Sequence, residues 1–256
     1  MKKWFSHIWT TSKYGLILFG LAVIIGFTNS RLAERRINDV SIHVDNQFEN
    51  YFIDQEDVLA LVNAEDKDYL LNSNLGGLSL KELEARIEGH QFVKDAQAYI
   101  DLEGNMSIDV EQNRPIARII NPEGQDYYIG TEGDILPESS HYTARVVLIQ
   151  LKDMNWLPEY SIYDAQGGEA MMQLLNFISD DPFWIAQVAG IVLHKDLEID
   201  LMPQVTKQVV EFGTIEDVEM KFKKLKTFYK QVLPYKGWNA YDTVSLKFKN
   251  QIVCKK

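Results

Sequence analysis

Between Lys13 and Arg31 the chain carries no charge, and Tyr14–Phe27 (YGLILFGLAVIIGF) is apolar almost throughout. A run of this kind leaves water in one of two ways: it stays in a membrane, or it is a signal peptide that is cut away. A full span takes about 20 residues and a signal-peptide core about 10–14, so length alone leaves both readings open. Three features favour a retained anchor. Trp4, Phe5 and Trp9 precede the run, where an interfacial aromatic belt belongs. Lys13 can snorkel to the headgroups, so that the residues before Tyr14 share the interface. Thr28-Asn29-Ser30 is a poor substitute for a small-residue cleavage site.

The expected anchor is a single transmembrane helix over residues 14–30. Leu16, Leu18, Phe19, Leu21, Val23, Ile24, Ile25 and Phe27 would face lipid, behind a cytoplasmic tail of residues 1–13. Basic residues do not orient it, because Lys2, Lys3 and Lys13 before the run are matched by Arg31, Arg35 and Arg36 after it. A short tail followed by a large acidic body places the body outside the cytoplasm. The first 36 residues hold six Lys/Arg and one Glu, a surplus of +5, so the rest carries −16 of the net −11. A body so acidic repels phosphate backbones, which argues against nucleic-acid partners.

Past the anchor, residues 38–118 read as a β-α-α-β-β unit. Val40, Ile42 and Val44 alternate with polar residues, the period of a strand. Ile53–Asp57 opens a helix carrying Val58, Leu59, Leu61 and Val62, with its acids in the first turn, where they suit the helix dipole. Ser79-Leu80-Lys81-Glu82 has the capping-box pattern and starts a second helix, with Leu80, Leu83 and Ile87 on one face and Gly89 as the stop. Two strands follow around Glu103-Gly104-Asn105, the second marked by Met106, Ile108 and Val110.

Residues 119–256 read as a mixed, mostly antiparallel β domain with flanking helices, making the chain α+β. Strands are expected at Tyr127–Gly130, Ile135–Pro137, Arg145–Leu151, around Leu197, Ile199 and Leu201, and at Val209–Gly213. A helix is expected over Glu169–Ser179, with Leu174, Leu175 and Ile178 inward. A second follows Thr214 as N-cap, with the stripe Val218, Phe222, Leu225, Tyr229 and Val232, ended by Pro234. Tyr241–Lys255 reads as one last strand with Val244, Leu246 and Phe248 on one side.

The chain offers little for catalysis. Its one cysteine, Cys254, builds neither a disulfide nor a cysteine metal site. The histidines (His7, His43, His90, His141 and His194) never take the H-x-x-x-H spacing that sets two imidazoles on one helix face. No G-x-S-x-G elbow is present, and Gly76-Gly77 and Gly167-Gly168 lack the context of a phosphate loop, so they read as turns. Asp180-Asp181-Pro182 reads as a helix-ending turn rather than a carboxylate pair, and Met171-Met172 and Phe183-Trp184 as core. Lys221–Lys230 reads as a solvated basic face, or as a contact for an acidic partner. Nothing asks for a cofactor or a metal.

Four stretches, in order, resemble the FtsQ/DivIB family of bacterial cell-division proteins. Glu111-Gln112-Asn113-Arg114-Pro115-Ile116-Ala117 is similar to the family's exit from its POTRA (polypeptide-transport-associated) domain, and Tyr127–Pro137 to its aromatic-to-Gly-to-Pro segment. Gly213, Asp217, Lys221, Phe222 and Leu225 match a late helix. Tyr241–Phe248 resembles the final strand, with Ser245 and Lys247 where Asp and Arg are commoner. The resemblance implies a bitopic scaffold of the division machinery, with no reaction and no cofactor of its own. It also implies a place in the inner membrane with the body periplasmic. The implied partners are small coiled-coil proteins like FtsB and FtsL, which add a strand at the C-terminal edge. Tyr241, Thr243, Val244, Ser245, Leu246, Lys247 and Phe248 are the expected partner-binding residues. Two other readings stay open: a POTRA-bearing assembly or secretion factor, which usually has several such units or a barrel, and a secreted hydrolase or binding domain released after Ser30.

Overall fold

Strict alternation along one strand organises the first sheet. In the computed structural model, which describes residues 19–21, 23, 36–46, 51–63, 70, 73–74, 76–139 and 141–256, Met106, Ile108 and Val110 lie on β3 (Asn105–Gln112) and are buried. Around it stand β1 (Asp39–Asp45), α1 (Gln55–Val62), α2 (Leu80–Glu88) and β2 (Val93–Ile100), giving the β-α-α-β-β order. The sheet runs β1-β3-β2, with β1 parallel and β2 antiparallel to β3. A parallel neighbour needs a long crossover, which the two helices supply. Their apolar residues Val58, Val62, Leu83 and Ile87 close over the strand in one core.

Local chemistry sets the ends of these elements. Asp54 accepts from the amide of Asp57, and Asp57 accepts from the amide of Asp54, so the reciprocal capping box forms there. At Ser79, where the pattern was expected, the hydroxyl accepts from the Glu82 amide. The β2–β3 turn needs glycine, since Gly104 has φ +94°. The Asp101 carboxylate accepts from both the backbone and the side chain of Asn105 and from the Glu103 amide, and these bonds hold it below the usual carboxylate range.

The second unit takes Asn113–Lys256 together with Tyr51 and Phe52. It comprises β4 (Pro115–Ile120), β5 (Tyr127–Gly130), β6 (Ile135–Pro137), β7 (Val147–Leu151), α3 (Gly168–Asp180), α4 (Pro182–Gln187), β8 (Val188–Leu193) and β9 (Ile199–Pro203). The chain continues through β10 (Val209–Gly213), α5 (Val218–Gln231), α6 (Leu233–Lys236), β11 (Thr243–Ser245) and β12 (Val253–Lys255). All nine strands form one mixed sheet in the order β12-β11-β10-β9-β8-β7-β4-β5-β6. The parallel pairs are β4–β7, β7–β8 and β10–β11, and the other joins are antiparallel. The helices gather on one face. Ile149, Ile191, Ile199, Leu201, Phe212 and Val244 point into a core with Met171, Met172, Leu174, Leu175, Ile178, Trp184, Phe222 and Leu225. Alternate residues such as Leu148 and Met202 are exposed on the other face.

Several expectations change here. Leu197 is not part of a strand: with φ +65° it turns the chain between β8 and β9. α5 starts after Asp217 (φ +51°), three residues beyond Thr214, and Asp217 makes no side-chain cap. α5 ends at Gln231, and Pro234 lies inside the short α6, near whose start its missing N–H costs nothing. Residues 241–255 are two strands rather than one. Asp180-Asp181-Pro182 does end α3, and Asp181 then caps α4 by accepting from the Phe183 amide.

Of the expected anchor, Phe19, Leu21 and Val23 are helical and exposed, while Leu16, Leu18, Ile24, Ile25 and Phe27 lie outside the described residues. No helix of the described residues is long and apolar enough to cross a membrane.

Candidate partner-binding edge

The nine-stranded sheet has two ends, and they differ in what lies beside them. At β6 the chain has covered its own edge: the Ile135 amide donates to the Tyr160 carbonyl at 2.9 Å, and Asp134 bridges Ser161. Pro137, the last residue of β6, has no N–H to offer a newcomer. At the other end the order stops at β12. Edge strands of this kind present backbone N–H and C=O groups to any further strand.

β12 rests on a platform. β11 pairs in parallel with β10 (Val209–Thr243, Val210–Val244, Glu211–Ser245) and antiparallel with β12 (Thr243–Lys255, Val244–Cys254, Ser245–Val253). Thr243–Ser245 therefore has a strand on each side. Val244, Ser245 and Leu246 are buried, Tyr241 packs against Phe228, and Thr243 is half-buried. Lys247 and Phe248 are exposed in the turn that leads to β12. The expected interface residues thus support the edge, and the edge itself is Val253–Lys255. Turn chemistry was the available signal, since Lys249 and Asn250 break the alternation and asparagine favours turns.

The turn is pinned from both sides. Lys224 on α5 donates to the carbonyls of Leu246 (3.1 Å) and Phe248 (2.7 Å). Lys247 pairs with Glu198, carried by the β8–β9 turn, and that bond holds its ammonium above the ordinary lysine range. Gly213 (φ +77°) leaves room for this chain crossing, because a Cβ there would come within 3.0 Å of the Lys247 side chain. One turn earlier on α5, Lys221 is buried, donates to the Thr214 carbonyl at 2.6 Å and lies 4.7 Å from the Phe212 ring centre. Burial lowers the ammonium pKa of both lysines, and in Lys221 the nearby Lys224 adds to the effect. The run 221–230 is therefore not simply a solvated face: two of its lysines tie the helix to the backbone around β10–β12.

Lys224→Met keeps the stem and removes the two bonds. The expected result is a loss of about 1.5–3 kcal/mol, the usual range for hydrogen bonds to a charged group. Amide exchange should quicken in residues 253–255 while β7–β9 is unchanged. Equal exchange across the sheet would show that the lysine does not hold the edge.

Two family models divide the chain at this architecture. A POTRA-like domain matches residues 35–111, and a model described as FtsQ/DivIB, C-terminal related, matches residues 114–255. The chain belongs to the FtsQ/DivIB family. No curated protein matches it. FtsQ/DivIB is a family of division proteins, and the two domains found here, one POTRA-like and one matching the family's C-terminal model, point to a division-related scaffold. The stretches that carried the sequence resemblance mark the joints of the fold. Residues 111–117 link the two sheets, 127–137 form the β5–β6 hairpin, 213–225 join β10 to α5, and 241–248 contain β11 and its outgoing turn.

Proposed function

We propose that this chain is a bitopic scaffold of the bacterial division machinery that captures other division proteins by strand addition at the C-terminal end of its nine-stranded sheet. The observation that carries the reading is the asymmetry of that sheet, whose β6 end is covered by Tyr160–Ile162 while its order stops at β12. Main-chain bonds along such an edge supply affinity, and alternate side chains supply selectivity. Val253 and Cys254 are half-buried and offer small apolar side chains, while Lys247, Lys249, Lys255 and Lys256 make a basic rim on an otherwise acidic body. Tyr241, Thr243, Val244, Ser245, Leu246, Lys247 and Phe248 serve this site as the platform and turn that hold β12 in place.

The partners this reading takes are small coiled-coil membrane proteins like FtsB and FtsL. It takes residues 14–30 as the anchor in the inner membrane, residues 1–13 as the cytoplasmic tail, and both domains as periplasmic. In this division of the chain the POTRA-like domain runs from residue 38 to Gln112, short of the expected 118 because Pro115–Ile120 is β4 of the nine-stranded sheet, and the β domain runs from Asn113 to 256.

Photo-crosslinking in cells tests the reading. A crosslinker at the exposed Lys255 is the informative probe, because Ser245 is buried behind β12. The expected product is one adduct with a small bitopic coiled-coil protein. A folded, membrane-retained protein that gives no adduct from position 255 or 249 would sink the edge model.

A further inference from the structure

Amides on the outer side of an edge strand recur every second residue, about 6.6–6.8 Å apart. Residues i and i+4 of a helix recur about 6 Å along its axis, nearly the same spacing. In the POTRA-like unit these two periods meet. β2 ends the sheet order β1-β3-β2. The Ala98 amide donates to Glu84 Oε1 at 2.8 Å, and the Ala96 amide reaches Glu88 Oε1 at a longer 3.5 Å. Glu84 and Glu88 stand one turn apart on α2. Ala96 and Ala98 are both buried, and their small side chains let the helix lie close enough for its carboxylates to reach the strand edge.

We propose that Glu84 and Glu88 form an edge latch, in which two helix-borne carboxylates stand where the carbonyls of a neighbouring strand would stand. The strand they exclude is β2 of a second copy of this chain. β2 is eight residues long, against three for β12. It is also self-complementary. Paired antiparallel about Gln97, Ala96 would face Ala98, Asp95 would face Tyr99 and Lys94 would face Ile100, so no like charges oppose each other. Such pairing is the isologous contact of a two-fold dimer. A long edge with that pattern is an aggregation hazard unless something covers it. The latch leaves partner strands to the C-terminal sheet, and it stands whether or not β12 is the partner site.

The test uses the full chain carrying Cys254→Ser and Gln97→Cys, with and without Glu84→Ala/Glu88→Ala. Position 97 sits on the two-fold axis of the excluded pairing, so a disulfide between copies reports it directly. The expected result is crosslinking at least tenfold greater in the alanine pair, with amide exchange at Ala98 at least tenfold faster in dilute protein. Glu84→Gln/Glu88→Gln keeps the acceptor oxygens and should behave like the unsubstituted chain. Circular dichroism reports that each variant is folded. A folded alanine pair with unchanged Ala98 exchange, or with no rise in crosslinking, would overturn the latch.

Discussion

Replacing Phe222 with alanine is expected to lower the stability of the β-rich unit by about 3–5 kcal/mol, the range for removing a buried aromatic ring. Phe222 is 1% exposed and sits at the centre of an aromatic cluster. Its ring lies 4.8 Å from Phe177, 4.6 Å from Trp184 and 5.4 Å from Phe212, which join it to α3, α4 and β10. The cavity therefore opens where the helix layer meets the sheet, and three rigid elements border it, so little collapse can refill it. A fall in melting temperature on the order of 10 °C follows for a unit of this size. Near-ultraviolet circular dichroism read during a thermal melt measures it, since the lost ring neighbours a tryptophan. A loss below 1 kcal/mol would mean that the cluster is not the joint of this core.

Gly168→Ala is expected to be nearly as damaging, for a different reason. A Cβ at Gly168 would lie 1.8 Å from the Ile162 carbonyl oxygen and 2.8 Å from its carbon. Those are backbone atoms, so no side-chain rotation relieves the clash. The 162–163 segment must move and take the fully buried Ile162 with it. The cost should reach about 3 kcal/mol, the upper end of ordinary overpacking. Gly167→Ala provides the comparison. Its Cβ would meet only Leu197 Cδ1 at 3.8 Å, but the residue holds φ +75°, and a left-handed conformation costs about 1–2 kcal/mol with a side chain. Urea titration of the two variants should rank Gly168→Ala as the worse. The reverse order would show that backbone strain, rather than the close approach to Ile162, governs this corner. The glycine pair thus differs from the pair of turn residues expected from sequence: Gly167 turns the chain, and Gly168 begins α3 against another segment's backbone.

The contrast between legible and illegible features runs through the molecule. Val40, Ile42 and Val44, then Met106, Ile108 and Val110, announce strands by alternation, and the structure pairs them residue for residue across β1 and β3. Leu174, Leu175 and Ile178 announce the inner face of α3, and all three are buried. The helix ends were harder. Ser79 caps α2 as expected, but Thr214 does not cap α5, which begins at Val218, and the reciprocal box closes at Asp54 and Asp57. Caps depend on where the preceding backbone turns, and that is set by packing as well as by the capping residue.

The sequence by itself determined the β-α-α-β-β order of the first unit, most of the elements of the second with the faces they bury, and the family to which the chain belongs, while β4, β8 and α4 carried no signal that was read as an element. Only the tertiary structure decided that Thr243–Ser245 is interior and Val253–Lys255 is the edge, that Lys224 holds the turn between them, and that Glu84 and Glu88 cover β2. The physical reason lies in direction. Side-chain alternation records what happens above and below a sheet, because successive side chains point to opposite faces. The backbone hydrogen bonds that make a strand interior or edge lie in the plane of the sheet. Every residue but proline carries the same donor and acceptor there, so the neighbour they find leaves no periodic mark on the sequence.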